Sequence, residues 1–105
     1  MAQFDVYPNP TAAMREAYPY FVVLQSDLLQ PFSTRLAMPL SRSRVETSPL
    51  PRRLAQTVQV GGEQLRLAPH LCTALPERLL KGPVASLRAQ SHLFVDALDA
   101  VVSGV

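Results

Sequence analysis

Residues 55–69, AQTVQVGGEQLRLAP, contain the clearest fold signal in the chain. Polar and apolar residues alternate through 57–60, and the alternation resumes at 64–67 after Gly61–Gly62. Alternation with a period of two is typical of strands with one buried face. A Gly-Gly pair between two such runs favours a two-residue turn, because both turn residues can adopt positive φ. The stretch therefore predicts an antiparallel β-hairpin.

Further strand-like runs flank the hairpin. Three precede it: QFDVY (3–7), YPYFVVLQS (18–26) and RLAMPLSR (35–42), the last of them broken or ended near Pro39. After it, HLCTALPERLL (70–80) is compatible with either a helical turn or a strand. GPVASL (82–87) predicts a short strand with Pro83 at its start, because proline removes a ladder donor.

The first run and the segments between the strands add detail. A period of two places Phe4 and Val6 on the buried face of the first strand, with Gln3, Asp5 and Tyr7 on the solvent face. Polar residues and prolines predict loops for the intervening segments 11–17, 27–33 and 44–53.

The hydrophobic period changes from about Arg88 onward and becomes helical. Leu93, Ala97 and Ala100 or Val101 share one side, Phe94, Leu98 and Val101 or Val102 share the next, and Asp96 and Asp99 occupy the remaining stripe. Ser86 or Ser91 is suited to cap the start of this helix. Five or six strands followed by one helix, without βαβ alternation, predict a single domain over residues 1–105 that is a small antiparallel barrel or sandwich.

The end of the helix carries apolar residues on more than one side, in LFVDALDAVVSGV (93–105). A helix of this kind must bury more than one side. One side can lie on the sheet, and the simplest cover for the remainder is a second copy of the chain in a two-fold dimer. The alternative is an ordinary core helix with a frayed end.

Composition limits the class of protein. The chain has 105 residues, of which 48% are hydrophobic and 17% charged, as in a globular domain rather than a disordered segment. No apolar run approaches the roughly 20 residues that a membrane helix needs. The N-terminus, MAQFDVY, has no basic leader or long apolar stretch, so we expect no signal peptide and a cytoplasmic location.

Catalytic and metal motifs are absent from the sequence. The chain has one cysteine and two histidines, whereas a zinc site needs three or four ligands. Cys72 and His70 are two residues apart, and a catalytic pair of this kind is conceivable. A half-buried small thiol is the stronger interpretation. We therefore predict a protein that is not an enzyme and has no cofactor and no metal.

Arginines cluster in the middle of the chain, where Glu46 is the one acidic residue among them. The cluster predicts a patch that meets phosphate or an acidic peptide, and the alternative is a solvated loop. A net charge of +2 is too small to indicate nucleic-acid binding. The arginines are Arg35, Arg42, Arg44, Arg52 and Arg53.

Taken together, these segments resemble the CcdB toxins of bacterial type II toxin–antitoxin systems. QFDVY (3–7) is similar to the first strand of the family, and YFVVLQSDLL (20–29) to the second, including Gln-Ser-Asp followed by two aliphatic residues. RLAMPL (35–40) resembles the strand that ends in an aliphatic residue, Pro and Leu. VQVGGEQLRLAPHLCTALP (58–76) resembles the middle of the family, and LDAVVSGV (98–105) resembles its C-terminal helix and terminus.

The resemblance implies an SH3-like antiparallel barrel with a small accessory sheet and a C-terminal helix. It also implies a homodimer that binds the GyrA subunit of DNA gyrase and traps the complex with cleaved DNA. A CcdA-like antitoxin, with a disordered acidic segment, would remove the toxin from gyrase. The resemblance implies neither membrane association nor direct binding of nucleic acid.

Site residues follow from the same resemblance. The aliphatic pair that contacts gyrase corresponds to Leu28 and Leu29, and the terminal Gly-aliphatic pair to Gly104 and Val105. Val102 and Ser103 stand where the family has an aromatic residue and a tryptophan, and Asp99 stands where it has an asparagine. An acidic antitoxin segment would suit Arg42, Arg44, Arg52 and Arg53. Because Ser103 replaces the tryptophan, the alternative is a CcdB-fold homodimer that has lost gyrase poisoning or binds a different topoisomerase or partner.

Overall fold

The computed structural model describes residues 2–29, 33–42 and 56–103. The described chain contains seven strands, where five or six were predicted, and one helix, α1 (Ser91–Ser103). The strands are β1 (Asp5–Pro8), β2 (Tyr20–Val23), β3 (Thr34–Ser41), β4 (Thr57–Val60), β5 (Glu63–Leu67), β6 (Thr73–Pro76) and β7 (Ala85–Ser86). Each pair of neighbouring strands is antiparallel. The predicted class, mainly β with a C-terminal helix, is confirmed.

The sheet is barrel-shaped and nearly closed, in the order β4-β5-β3-β2-β1-β7 with β6 also paired to β3. The long strand β3 is the branch point. Its first half pairs with β6, from Thr34↔Pro76 to Ala37↔Thr73, and its end pairs with β5. The β4–β5 hairpin is thus joined to the barrel through the end of β3, as a small accessory part of the same sheet.

The turn between β4 and β5 is the predicted two-residue hairpin. Val60 pairs with Glu63, and the two residues between them, Gly61 and Gly62, have φ of 58° and 81°. A side chain at either position would be strained in this left-handed conformation. The alternating residues of both strands lie as predicted, because Val58, Val60, Leu65 and Leu67 are buried in the main core.

Strand β3 does not end at Pro39, contrary to the sequence-based expectation. Pro39 pairs with Phe21 of β2, and its carbonyl accepts a hydrogen bond of 3.1 Å from the Ala68 N–H on the other side. The N and C=O of a strand residue point the same way. The position where an N–H would stand in Pro39 therefore faces the connection between β5 and β6. No neighbouring strand needs a hydrogen bond from Pro39 there, so the strand continues through the proline.

The described residues form two hydrophobic clusters, which lie against opposite faces of β1. The smaller one contains Tyr7, Val23 and Leu80. The expectation that Tyr7 faces solvent is therefore wrong: its neighbour Val6 is buried in the main core, and both faces of β1 are covered. The main cluster consists of Phe4, Val6, Val22, Leu24, Met38, Leu40, Val58, Val60, Leu65, Leu67, Leu87, Phe94 and Ala97.

Short 3₁₀ turns occupy several of the connections. Both alternatives for residues 70–80 occur in succession, as the turn Pro69–Leu71, the strand β6 and the turn Glu77–Leu79. The predicted loops at 11–17 and 27–33 contain the turns Ala12–Met14 and Asp27–Leu29. The predicted loop at 44–53 lies outside the described residues.

Candidate interaction surfaces

One face of α1 anchors the helix to the barrel. Phe94, Ala97 and Ala100 are buried on this face, and Leu93 and Leu98 pack at its margins. The ring of Phe94 lies 5.8 Å from that of Phe4, at an angle of 42°. Phe4 itself has φ of 70°, in a turn that the Asp5 N–H closes on the Ala2 carbonyl. A bulky residue pays for this conformation with strain, which the burial of the Phe4 ring beneath α1 offsets.

The segment that leads into α1 contains Ser86, one of the two serines that the sequence offers as a helix cap. The Ser86 Oγ accepts a hydrogen bond of 3.4 Å from the Arg88 N–H, at the beginning of a 3₁₀ turn, Arg88–Gln90, that leads into α1. Ser91 is the first residue of α1 itself. Ser86 thus bonds ahead of the 3₁₀ turn and does not cap α1, and the N-cap of the turn itself, Leu87, has no side-chain cap.

The outward face of α1 retains apolar side chains. Val95 and Val102, seven residues apart and thus on the same side, are 59% and 84% exposed, and Val101 is 40% exposed. Asp99 lies between the two valines on this face and is also exposed. The sequence grouped Val101 or Val102 with Phe94, but both valines are exposed because the barrel does not cover their side of the last turn, where Ala100 alone is buried.

The last described residue of α1, Ser103, bonds within its own helix. Its Oγ donates a hydrogen bond of 2.7 Å to the Asp99 carbonyl, one turn earlier. A serine hydroxyl commonly closes on the backbone in this way. Ser103 therefore presents a small side chain whose donor is already used. Gly104 and Val105, the remaining predicted contacts of this tip, lie outside the described residues.

The predicted aliphatic pair lies in the turn Asp27–Leu29, and Leu28 is 89% exposed. The carboxylate of Asp27 accepts a hydrogen bond of 2.8 Å from the Gln3 N–H and lies 3.6 Å from the Arg88 guanidinium. The turn is thus fixed near the start of α1. Val102 lies eleven residues after Ser91, about 17 Å along the helix axis at 1.5 Å per residue. Within one chain, the structure places Leu28 and Val102 at opposite ends of α1.

The arginine patch is only partly confirmed as a surface feature. Arg35 is wrongly predicted to belong to it: this side chain is only 4% exposed, and it forms an ion pair of 3.1 Å with Glu77. Arg42 is partly exposed, and its guanidinium is paired with both carboxylate oxygens of Glu63 and donates to the Glu16 carbonyl at 3.2 Å. Its hydrogen bond with Glu63 raises the pKa of Arg42. Arg44, Arg52 and Arg53 lie outside the described residues.

Arg42 therefore clamps the end of β3 to β5 and to the segment after the first 3₁₀ turn. An acidic partner would compete with Glu63 for this side chain. The predicted antitoxin contact at Arg42 stays a prediction.

The environment of Cys72 disfavours nucleophilic chemistry. Its side chain is half-buried against the main core, and burial raises the pKa of the thiol to about 11. A catalytic cysteine requires a thiolate near neutral pH, and this thiol stays protonated there. His70 is exposed in the preceding 3₁₀ turn. In the described part of the chain, no three His, Cys, Asp or Glu side chains lie close enough together to hold a metal ion.

Two findings bear on the class of the protein. Among the described residues there is no helix with the length and apolar character needed to cross a membrane. The family model described as CcdB protein matches residues 3–104, nearly the whole chain. The match covers the barrel, the hairpin and all of α1, and the chain therefore belongs to the CcdB family.

Proposed function

We propose that this protein is the toxin of a toxin–antitoxin pair and that it acts by binding the GyrA subunit of DNA gyrase and trapping the complex with cleaved DNA. The match to the family over nearly the whole chain carries this proposal. The exposed apolar tip of α1 supports it, because exposed valines on a well-anchored helix provide a binding surface rather than a catalytic one.

A homodimer is part of the same proposal. The outward face of α1 carries Val95 and Val101, and two copies related by a two-fold axis would cover these side chains while leaving Val102 exposed at the paired helix tips. Light scattering at micromolar concentration should then give twice the monomer mass of 11.5 kDa. A monomer mass under these conditions would contradict the dimer.

The direct test is inducible expression in a bacterial host, together with capture of GyrA on the purified protein. We expect arrested growth and capture of GyrA. Val102→Asp should abolish both, because a charge would have to be desolvated in the interface. The matched control is Val84→Asp, which makes the same change at a valine that is 52% exposed and lies before β7. If Val84→Asp were as inactive as Val102→Asp, the tip of α1 would not be the binding surface.

A second candidate function is that of a CcdB-fold interaction protein that no longer poisons gyrase. Ser103 favours this candidate, because its hydroxyl is bonded to the Asp99 carbonyl and its side chain cannot replace a tryptophan in an interface. A buried interface tryptophan typically contributes about 2 kcal/mol or more. Normal growth and no capture of GyrA, with a dimer still present, would select this candidate.

The Ser103→Trp variant separates the two candidates further. If the surface is otherwise that of a gyrase-binding toxin, restoring the aromatic side chain should strengthen the capture of GyrA. A variant that remains without any GyrA binding would indicate a different partner. If the protein arrests growth, an acidic antitoxin from a neighbouring reading frame should neutralise the arrest, and its co-purification with the protein would identify the pair.

A further inference from the structure

The three polar residues that precede Leu28 all bond to the backbone. The side-chain amide of Gln25 bonds to two backbone groups of β3, both at 3.1 Å, and the Ser26 Oγ accepts a hydrogen bond of 3.2 Å from the Leu28 N–H. The Asp27 carboxylate accepts a hydrogen bond of 2.8 Å from the Gln3 N–H. The segment directly before the aliphatic pair is therefore a scaffold for the turn that carries Leu28.

Arg88, at the beginning of the 3₁₀ turn that leads into α1, connects this scaffold to the helix. Its guanidinium lies 3.6 Å from the Asp27 carboxylate and donates a hydrogen bond of 3.2 Å to the Gln3 carbonyl. The Gln3 side chain in turn donates to the Leu24 carbonyl at 2.9 Å, just after β2. Arg88, Asp27 and Gln3 thus contact one another pairwise, and together they fix the turn with respect to the start of α1.

These contacts restrict the turn but add little to the stability of the barrel. The side chains of Arg88 and Asp27 are 57% and 48% exposed, and exposed ion pairs are screened by water and salt. Both residues lie outside the two hydrophobic clusters of the described residues. Leu28 is 89% exposed, so packing against the barrel does not hold its side chain. The position of Leu28 therefore depends on the polar contacts of its turn.

We propose that Arg88 is a positioning residue for partner binding, which acts through Asp27 to hold Leu28 in one orientation at the start of α1. An apolar side chain on a backbone that is already ordered loses less conformational entropy when a partner covers it. Ordering one further backbone residue on binding would lower the affinity about tenfold. That the partner is GyrA rests on the proposed function, whereas the restriction of the turn by Arg88 does not.

NMR relaxation of the isotope-labelled protein tests the restriction without any partner. Arg88→Gln should lower the backbone order parameters of Asp27 and Leu28 from about 0.85, typical of a rigid backbone, to below about 0.6. Asp27→Asn should act in the same way, because it removes the charge that faces Arg88 but keeps an oxygen for the Gln3 N–H. The matched control is Arg78→Gln, the same change at an exposed arginine in another 3₁₀ turn, which should leave these order parameters unchanged. Order parameters that stay at the wild-type level in Arg88→Gln would overturn the proposal.

The affinity for immobilised GyrA tests the consequence of this restriction. Arg88→Gln should weaken binding about tenfold, and Arg88→Lys, which keeps the positive charge, should retain most of the affinity. In the Leu28→Ala background the effect of Arg88→Gln should disappear, because the two changes then remove the same contact with the partner. Equal weakening in both backgrounds would mean that Arg88 contacts the partner directly, and it would overturn the positioning role.

Two further outcomes separate this proposal from the proposed function. If the wild-type protein captures no GyrA, the proposed function is rejected, and the order parameters alone decide whether Arg88 restricts the turn. If GyrA binds equally well to the wild type and to Arg88→Gln, the proposed function stands and the positioning role is rejected. Urea denaturation of Arg88→Gln should match the wild type, because an exposed ion pair adds little to stability. A large loss of stability would indicate a structural role and would overturn the proposal.

Discussion

The early and late turns of α1 are built from the same kinds of residue but have different surroundings. Phe94 and Ala97 have no exposed surface, whereas Val102 is 84% exposed. Both ends carry apolar side chains at helical spacing, and the barrel covers the bulky Phe94 of the early turns but, in the last turn, only the small Ala100. The difference shows that the periodicity of a helix identifies apolar faces but does not identify what covers them. It also divides α1 into a part that stabilises the fold and a part that is available for binding.

The strongest test of this division is Phe94→Ala. We expect the free energy of unfolding to fall by about 3–5 kcal/mol, because the change leaves a cavity against Phe4 in the main core. Urea denaturation followed by circular dichroism measures the effect. A loss below about 1 kcal/mol would mean that the early turns do not anchor the helix.

Leu98→Ala should have an intermediate effect, since this partly buried side chain packs at the margin of the core. We expect a loss of about 1–2 kcal/mol, below the range for fully buried leucines. The same urea experiment measures it, and the matched comparison is Val95→Ala on the exposed face. If the two variants were equally stable, the boundary between the anchored and the exposed face would be misplaced.

The buried surroundings of the core can be tested at Cys72, which packs against the main cluster, through the pH dependence of stability. The thiol has a folded-state pKa of about 11, above its ordinary value, so the folded state holds this proton more tightly than the unfolded state. Stability from this source is fully present below about pH 9 and is lost as the pH rises towards 11. The urea midpoint should therefore fall more steeply across this range in the wild type than in Cys72→Ala. Parallel pH profiles would mean that the thiol is solvated.

The smallest effect on stability is expected for Val102→Asp. Exposed surface positions usually change stability by less than about 0.5 kcal/mol, and Val102 makes no contribution to the buried core. Unchanged urea denaturation combined with loss of GyrA capture would show that the last turn serves binding alone. A large loss of stability in a dilute, monomeric sample would contradict the division of α1.

The positions of the strands can be predicted from neighbouring residues in the sequence more directly than the burial of individual side chains can. The hairpin is predictable because Gly61–Gly62 and the alternation beside it act within a few residues. The burial of Tyr7 is not predictable from its neighbours, because the smaller cluster that covers it includes Leu80, from a distant part of the chain. Pro39 is misleading for a similar reason, since its missing donor is harmless only where β5 gives way to β6.

The exposure of a charged residue likewise depends on distant parts of the chain, which its sequence neighbours do not reveal. Arg35 reads as part of a basic patch because its sequence neighbours are basic, but β6 brings Glu77 against it and removes it from solvent.

The pairing of β1 with β7 has a consequence for synthesis of the protein. The Arg88 guanidinium donates to the Gln3 carbonyl across a separation of 85 residues, and β1 is bordered by strands from both halves of the chain. Contacts between such distant residues form late, because closing the intervening loop is entropically costly. A nascent polypeptide on the ribosome therefore cannot seat α1 on the barrel until the segment from β7 to the end of α1 has emerged. Products that terminate before Ser91 would lack α1 altogether, and with it the exposed surface around Val102.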